Sequence, residues 1–186
     1  GADSILGGDG DDIIRAAAGD DSIMGGAGND VIYAGDGADT VAGNLGDDTV
    51  YGGAGDDSLT GSFGNDSVYG GAGNDFIQGG ADTDLLDGGD GDDRIQGDGG
   101  SDLIYGGAGN DSIQSGAGDD TVFGGTGDDL VSTGEGDDLV YGGTGDDTIR
   151  SEGGSDEVYG GDGNDVIFTD QGNDNIPDRD YPGDGL

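Results

Sequence analysis

A single nine-residue unit repeats 19 times, without insertion or deletion, from Gly7 to Pro177. Any fold this chain adopts must therefore offer the same environment to the same unit position 19 times, which is the situation of a stacked solenoid. With unit positions numbered 1 to 9, position 6 is aspartate in every unit and in the partial unit before them: Asp3, Asp12, Asp21, Asp30, Asp39, Asp48, Asp57, Asp66, Asp75, Asp84, Asp93, Asp102, Asp111, Asp120, Asp129, Asp138, Asp147, Asp156, Asp165 and Asp174. Position 8 is Ile, Val or Leu throughout, from Ile5 and Ile14 to Ile176, and position 4 is glycine except at Asp82.

One obligatory apolar position in nine fits neither a 3.6-residue helical stripe nor a long alternating strand. The unit reads as a turn followed by a very short strand. Glycines at positions 1, 2 and 4 permit positive φ and let carbonyls converge, and the next three residues, typified by Val31-Ile32-Tyr33, are β-formers whose middle side chain faces away from its neighbours. The period matters because the 49 glycines and 2 prolines would otherwise mark a disordered, low-complexity chain.

Position 9 shows that the structural repeat is 18. Alternate units carry Tyr33, Tyr51, Tyr69, Tyr105, Phe123, Tyr141 and Tyr159, with Asp87 interrupting, whereas the intervening set runs Met24, Ala42, Thr60, Gln78, Gln96, Gln114, Ser132, Arg150 and Phe168. Two sheets with different outer faces follow.

Charge then restricts the chemistry. Against 43 acidic residues stand four arginines and no lysine, a formal charge of −39. Nucleic acid, whose binding rests on basic residues releasing counterions, is excluded as a partner, and so are anionic membrane surfaces. No apolar run is long enough to insert into a membrane. Cysteine and histidine are absent, which removes disulfides, thiolate or imidazole metal ligation and histidine-based proton transfer. Oxygen ligands remain, and they suit hard cations.

The unit Gly7-Gly8-Asp9-Gly10-Asp11-Asp12-Ile13-Ile14-Arg15 resembles the glycine-rich nonapeptide of the RTX, or hemolysin-type calcium-binding, proteins, and the resemblance covers residues 1 to 177. It implies an all-β, right-handed parallel β-roll with two nonapeptides per 18-residue coil, about 10 coils here. It further implies a bacterial protein passed through type I secretion unfolded and folded by extracellular calcium. A secreted toxin, secreted enzyme or adhesin would carry such a module. The chain begins and ends inside patterned sequence, as a piece of a larger protein would, and the rest of that protein is then an expected partner.

Stacking would place Asp12 over Asp30, and so on along the chain, about 4.8 Å apart, where carboxylates repel by roughly 1 kcal/mol even in water. Calcium relieves this by accepting 6 to 8 oxygens, supplied by the position-6 side chains of two successive coils. Backbone carbonyls of the turn glycines complete each site, such as Gly52, Gly53, Gly55, Gly70, Gly71, Gly73, Gly106, Gly107, Gly109, Gly124, Gly125, Gly127, Gly142, Gly143 and Gly145. One ion per gap in two columns of turns gives roughly 17 ions.

The columns differ. The one from Gly52 to Asp165 keeps Gly-Gly at positions 1 and 2, after Ala16-Ala17 and Ala34 at its start; the other drifts to Gly43-Asn44, Gly61-Ser62, Gly97-Asp98, Ser151-Glu152 and Thr169-Asp170. Positive φ penalises the Cβ of Asn44, Ser62, Asp98 and Glu152, so the Gly-Gly column is expected to hold cations more tightly.

Other signals carry less. Asp178-Arg179-Asp180-Tyr181-Pro182-Gly183 departs from an EF-hand loop at its third ligand, so residues 178 to 186 read as a linker or the start of a further module. The glycosylation sequons at Asn65 and Asn110 arise automatically from unit positions 5 to 7. Adjacent acids such as Asp146-Asp147 repeat too often to form a catalytic pair, and the chain is expected not to be an enzyme. The aromatic row, Tyr33, Tyr51, Tyr69, Tyr105, Phe123, Tyr141 and Tyr159, stiffens its sheet by cross-strand stacking, or binds carbohydrate, a second copy or another surface. A disordered acidic calcium buffer is the remaining alternative.

Overall fold

The structure, a computed structural model, describes residues 1–176; the proposed linker at 178 to 186 lies outside them. Nineteen strands follow one another, from β1 (Ser4–Asp9) and β2 (Ile13–Ala18) to β18 (Glu157–Asp162) and β19 (Val166–Gly172), with no helix among the described residues. Odd-numbered strands form a ten-stranded sheet and even-numbered strands a nine-stranded one, each strand pairing in parallel with the next but one. The register is 18 throughout, as in Ile104 opposite Val122 and Tyr105 opposite Phe123. The chain is thus a parallel β-solenoid of about nine coils with two nonapeptides in each.

The strands are longer than the unit predicts. Each runs from position 7 through position 3 of the following unit, typically six residues, as in Val31–Asp36, leaving only positions 4 to 6 as the turn. Glycine is a poor strand former in isolation, yet here positions 2 and 3 pair with identical positions one coil away, Gly53 with Gly71 and Ala54 with Ala72. Stacking of identical units, rather than propensity, extends the ladder.

Burial alternates along the unit: position 6, position 8 and position 1 face inward, while positions 7, 9 and 3 face out. The core is a double file of position-8 aliphatics, Ile14 to Val158, joined by Ala34; most are fully buried. Side chains on the two sheets meet across this file, so each buried aliphatic contacts its counterparts above and below as well as opposite.

The outer faces differ as the 18-residue repeat requires. On the nine-stranded sheet Tyr33, Tyr51 and Tyr69 stack with ring centroids 4.9 and 5.0 Å apart, and Arg15 caps the stack 4.7 Å from the Tyr33 ring. A second stack, Tyr105, Phe123, Tyr141 and Tyr159, has spacings of 5.0, 5.0 and 4.9 Å. Asp87 sits between the two stacks at the same level of the ladder.

Ile104 is fully buried whereas Ile13, at position 7, is 66% exposed. Ile104→Ala should therefore destabilise the folded protein by about 2–5 kcal/mol and Ile13→Ala by less than about 0.5 kcal/mol. Amide hydrogen exchange should place the Ile104→Ala loss in the coils on either side of it, since each coil touches only its neighbours.

Candidate metal sites in two columns of turns

The turns are held by a hydrogen-bond pattern that recurs from coil to coil. The position-4 N–H donates to the position-3 carbonyl of the next coil, as Gly55 to Ala72 at 2.7 Å, and the position-7 N–H to the position-6 carbonyl of the preceding coil, as Phe76 to Asp57 at 2.8 Å. The position-6 N–H donates to the aspartate of the next coil: Asp57 to Asp75 Oδ1 at 2.8 Å, Asp75 to Asp93 Oδ1 at 2.7 Å and Asp93 to Asp111 Oδ1 at 2.8 Å.

Position 5 completes the set in the opposite direction, and its role was not anticipated from the sequence. Its N–H donates to the position-5 side chain of the preceding coil, as Asn74 to Asp56 Oδ1 at 2.8 Å, Asp92 to Asn74 Oδ1 at 2.7 Å and Asn110 to Asp92 Oδ1 at 2.7 Å. The signal was present: position 5 is Asp or Asn in most units, and in this column the two types partly alternate, which separates like charges. Asn65 and Asn110, the sequon asparagines, belong to these ladders, accepting from Thr83 and Asp128. Asp146 is exposed and Asp147 buried, so the two adjacent acids occupy opposite sides of their turn.

With Oδ1 committed, Oδ2 of the position-6 aspartates is left over. From Asp12 to Asp156, 17 of these oxygens are buried without a hydrogen-bond partner; the remaining three aspartates, Asp3, Asp165 and Asp174, lie at the ends and are less buried. Buried, unpartnered carboxylate oxygens are costly. Burial, partly opposed by the N–H donated from the preceding coil and reinforced by neighbouring aspartates, pushes Asp48, Asp57 and Asp147 up to about 6. The same causes push Asp66, Asp93 and Asp129 up to about 7.

The position-1 glycines reveal where these oxygens gather. They were expected to take positive φ, but only the glycines at positions 2 and 4 do so. Position 1 needs glycine for space instead. A Cβ on Gly52 would lie 2.5 Å from Asp57 Oδ2 and 2.6 Å from the carbonyl oxygen of Gly70 in the next coil. At Gly97 and Gly106, members of different columns, it would lie 2.5 Å from Asp102 Oδ2 and Asp111 Oδ2 respectively. An unpartnered carboxylate oxygen and a carbonyl from the next coil thus converge on a cradle kept clear of side chains.

Those donors fit a hard cation, and Ca²⁺ in particular, because its ligand sphere mixes carboxylate and carbonyl oxygens. Among the described residues no three acidic side chains gather at one point, so backbone carbonyls must supply the balance of each site. Asn44, Ser62 and Asp98 adopt positive φ as anticipated. Glu152 does not, and its carboxylate instead accepts from the Ser132 hydroxyl at 3.1 Å.

The RTX calcium-binding nonapeptide repeat matches the chain over residues 1–23, 16–50, 42–77, 51–86, 78–113, 87–122, 105–140, 114–149 and 141–176. The chain belongs to this family. Repeats of the RTX family bind calcium, which is the cation the orphaned Oδ2 atoms and cleared cradles accommodate. No match was found among curated proteins.

The raised carboxyl values set a pH dependence in the absence of divalent ions. A folded-state value above the ordinary 3.8 means that the folded chain binds more protons than the unfolded one between about pH 4 and 7, so its stability falls as pH rises through that window. Chelated protein should gain β-sheet circular dichroism on acidification from pH 7.5 to 5 and lose it on return; unchanged or opposite behaviour would contradict the burial of these carboxylates.

Proposed function

We propose that this chain is a calcium-dependent folding module of a larger protein that acts outside the cell. The observation carrying this reading is the row of 17 buried, unpartnered aspartate oxygens, each beside a turn: the arrangement is unfavourable without cations and favourable with them. Cation binding is then folding free energy. Where calcium is scarce, charge repulsion keeps the chain expanded; where it is plentiful, the solenoid forms. Family membership supports a secreted or cell-surface setting and delivery by type I secretion. The module's work is structural rather than catalytic, and the activity resides in the remainder of the parent protein, whether toxin, enzyme or adhesin.

Addition of millimolar Ca²⁺ to chelated protein should produce a cooperative gain of β signal and compaction, followed by circular dichroism and small-angle scattering. Mg²⁺ at equal concentration should not, because it demands near-octahedral geometry and retains its waters. Equal folding by both ions, or a fully folded chelated state at neutral pH, would overturn the reading.

A second reading, a carbohydrate-binding face, is favoured by the aromatic stacks, whose Tyr33, Tyr51 and Tyr105 remain 38%, 36% and 37% exposed. Sugar rings stack on such flat aromatic surfaces. A Tyr51→Ala/Tyr105→Ala/Tyr141→Ala variant that still folds with calcium should lose glycan-array binding if this face has that role, and should match the parent if stacking only stiffens the sheet.

A further inference from the structure

The cradle at position 1 is not open in every unit. Ala16 and Ala34 begin one column, and Ser115, Thr133 and Ser151 follow one another in the other; Thr169 closes that column. The side chains of Ala34, Ser115, Thr133 and Ser151 are fully buried. Each projects from position 1, the direction in which a Cβ on the glycine units would run into the aspartate Oδ2 and the next coil's carbonyl.

The three hydroxyl units share their bulk rather than a common bonding pattern. The Ser115 hydroxyl donates to the Thr133 carbonyl oxygen at 2.9 Å, the position-1 oxygen of the next coil that in glycine units such as Gly52 faces the cradle. The Thr133 and Ser151 hydroxyls, like Oδ2 of Asp120, Asp138 and Asp156, are buried without a hydrogen-bond partner. In all three units the side chain occupies the space that the glycine units leave open beside the aspartate.

We infer that the position-1 side chain decides which gaps between coils take a cation, and that Ser115, Thr133 and Ser151, by filling the cradle, leave a metal-free stretch of their column. By the same steric rule Ala16 and Ala34 close two gaps in the other column. Six gaps stay open in each column, those above Gly7, Gly25, Gly43, Gly61, Gly79 and Gly97 and those above Gly52, Gly70, Gly88, Gly106, Gly124 and Gly142. The chain then binds about 12 calcium ions rather than the roughly 17 that one ion per gap requires. Position 2, by contrast, does not discriminate: Asp98 adopts positive φ beside an open cradle at Gly97.

This inference rests on the calcium reading, and the experiment separates the two. Calcium bound per chain at saturation is measured by equilibrium dialysis with atomic emission and by native mass spectrometry. The comparison is between the parent chain, a Ser115→Gly/Thr133→Gly/Ser151→Gly variant and a Ser115→Ala/Thr133→Val/Ser151→Ala variant. The parent is expected to bind about 12 ions, the glycine variant to gain up to about three, and the Ala/Val variant to match the parent. Single Ser115→Gly, which gains about one ion, serves if the triple glycine variant does not fold. A parent that folds with about 17 ions, a glycine variant with no gain, or an Ala/Val variant that loses ions because the hydroxyls are ligands, would each overturn the inference while leaving calcium-dependent folding intact. A parent that binds no calcium would overturn both.

Discussion

The stacked aspartate is the constraint on which this structure depends. Its Oδ1 fastens the N–H of the preceding coil, and its Oδ2 is carried into the interior with no protein partner. The first interaction sets the 18-residue register as firmly as the backbone ladder does; the second makes that register expensive unless positive charge arrives. The same carboxylate therefore specifies the fold and makes it conditional, which is how a chain of −39 can be both a regular solenoid and a responsive one.

Repetition explains why so much of this could be read without coordinates. A position that recurs 19 times in one register must meet the same surroundings each time, so the invariant aliphatic at position 8 could be assigned to the interior and the invariant aspartate at position 6 to a stacked column of turns. The alternation at position 9 between a mainly aromatic and a mainly non-aromatic set likewise fixed the 18-residue coil and the two unlike outer faces. These are statements about periodicity, and periodicity survives any uncertainty about local conformation.

What could not be read was the reason for each glycine. Glycine has two properties, tolerance of positive φ and lack of a side chain, and the letter does not say which one a site uses. Gly53 uses the first and Gly52 the second; Asn44, Ser62 and Asp98 stand at the position that demands positive φ, as expected, whereas the need for open space at position 1 was not legible. Strand length was missed for a related reason: positions 1 to 3 have little strand propensity, and only their pairing with identical neighbours makes them extended. The position-5 ladder was hidden because Asp and Asn there look like ordinary solvated turn residues, while their side chains accept the N–H groups that the tight turn would otherwise leave exposed.

Position-1 substitutions are distributed in a way that preserves coupling along the solenoid. The early coils lack glycine in one column, at Ala16 and Ala34, but keep it in the other, at Gly7 and Gly25; the late coils lack it at Ser115 and Thr133 but keep it at Gly124 and Gly142. Between them, from Gly43 to Gly106, both columns are open. Each junction up to Gly142 thus retains one cradle that spans two coils, and the side of the solenoid on which it lies changes through a doubly bridged middle. In a structure whose stability is a sum of nearest-neighbour terms, one bridged junction per coil is sufficient for cooperative propagation. The central coils, bridged on both sides, are then the natural place for folding to nucleate, with the singly bridged ends adding outward from them.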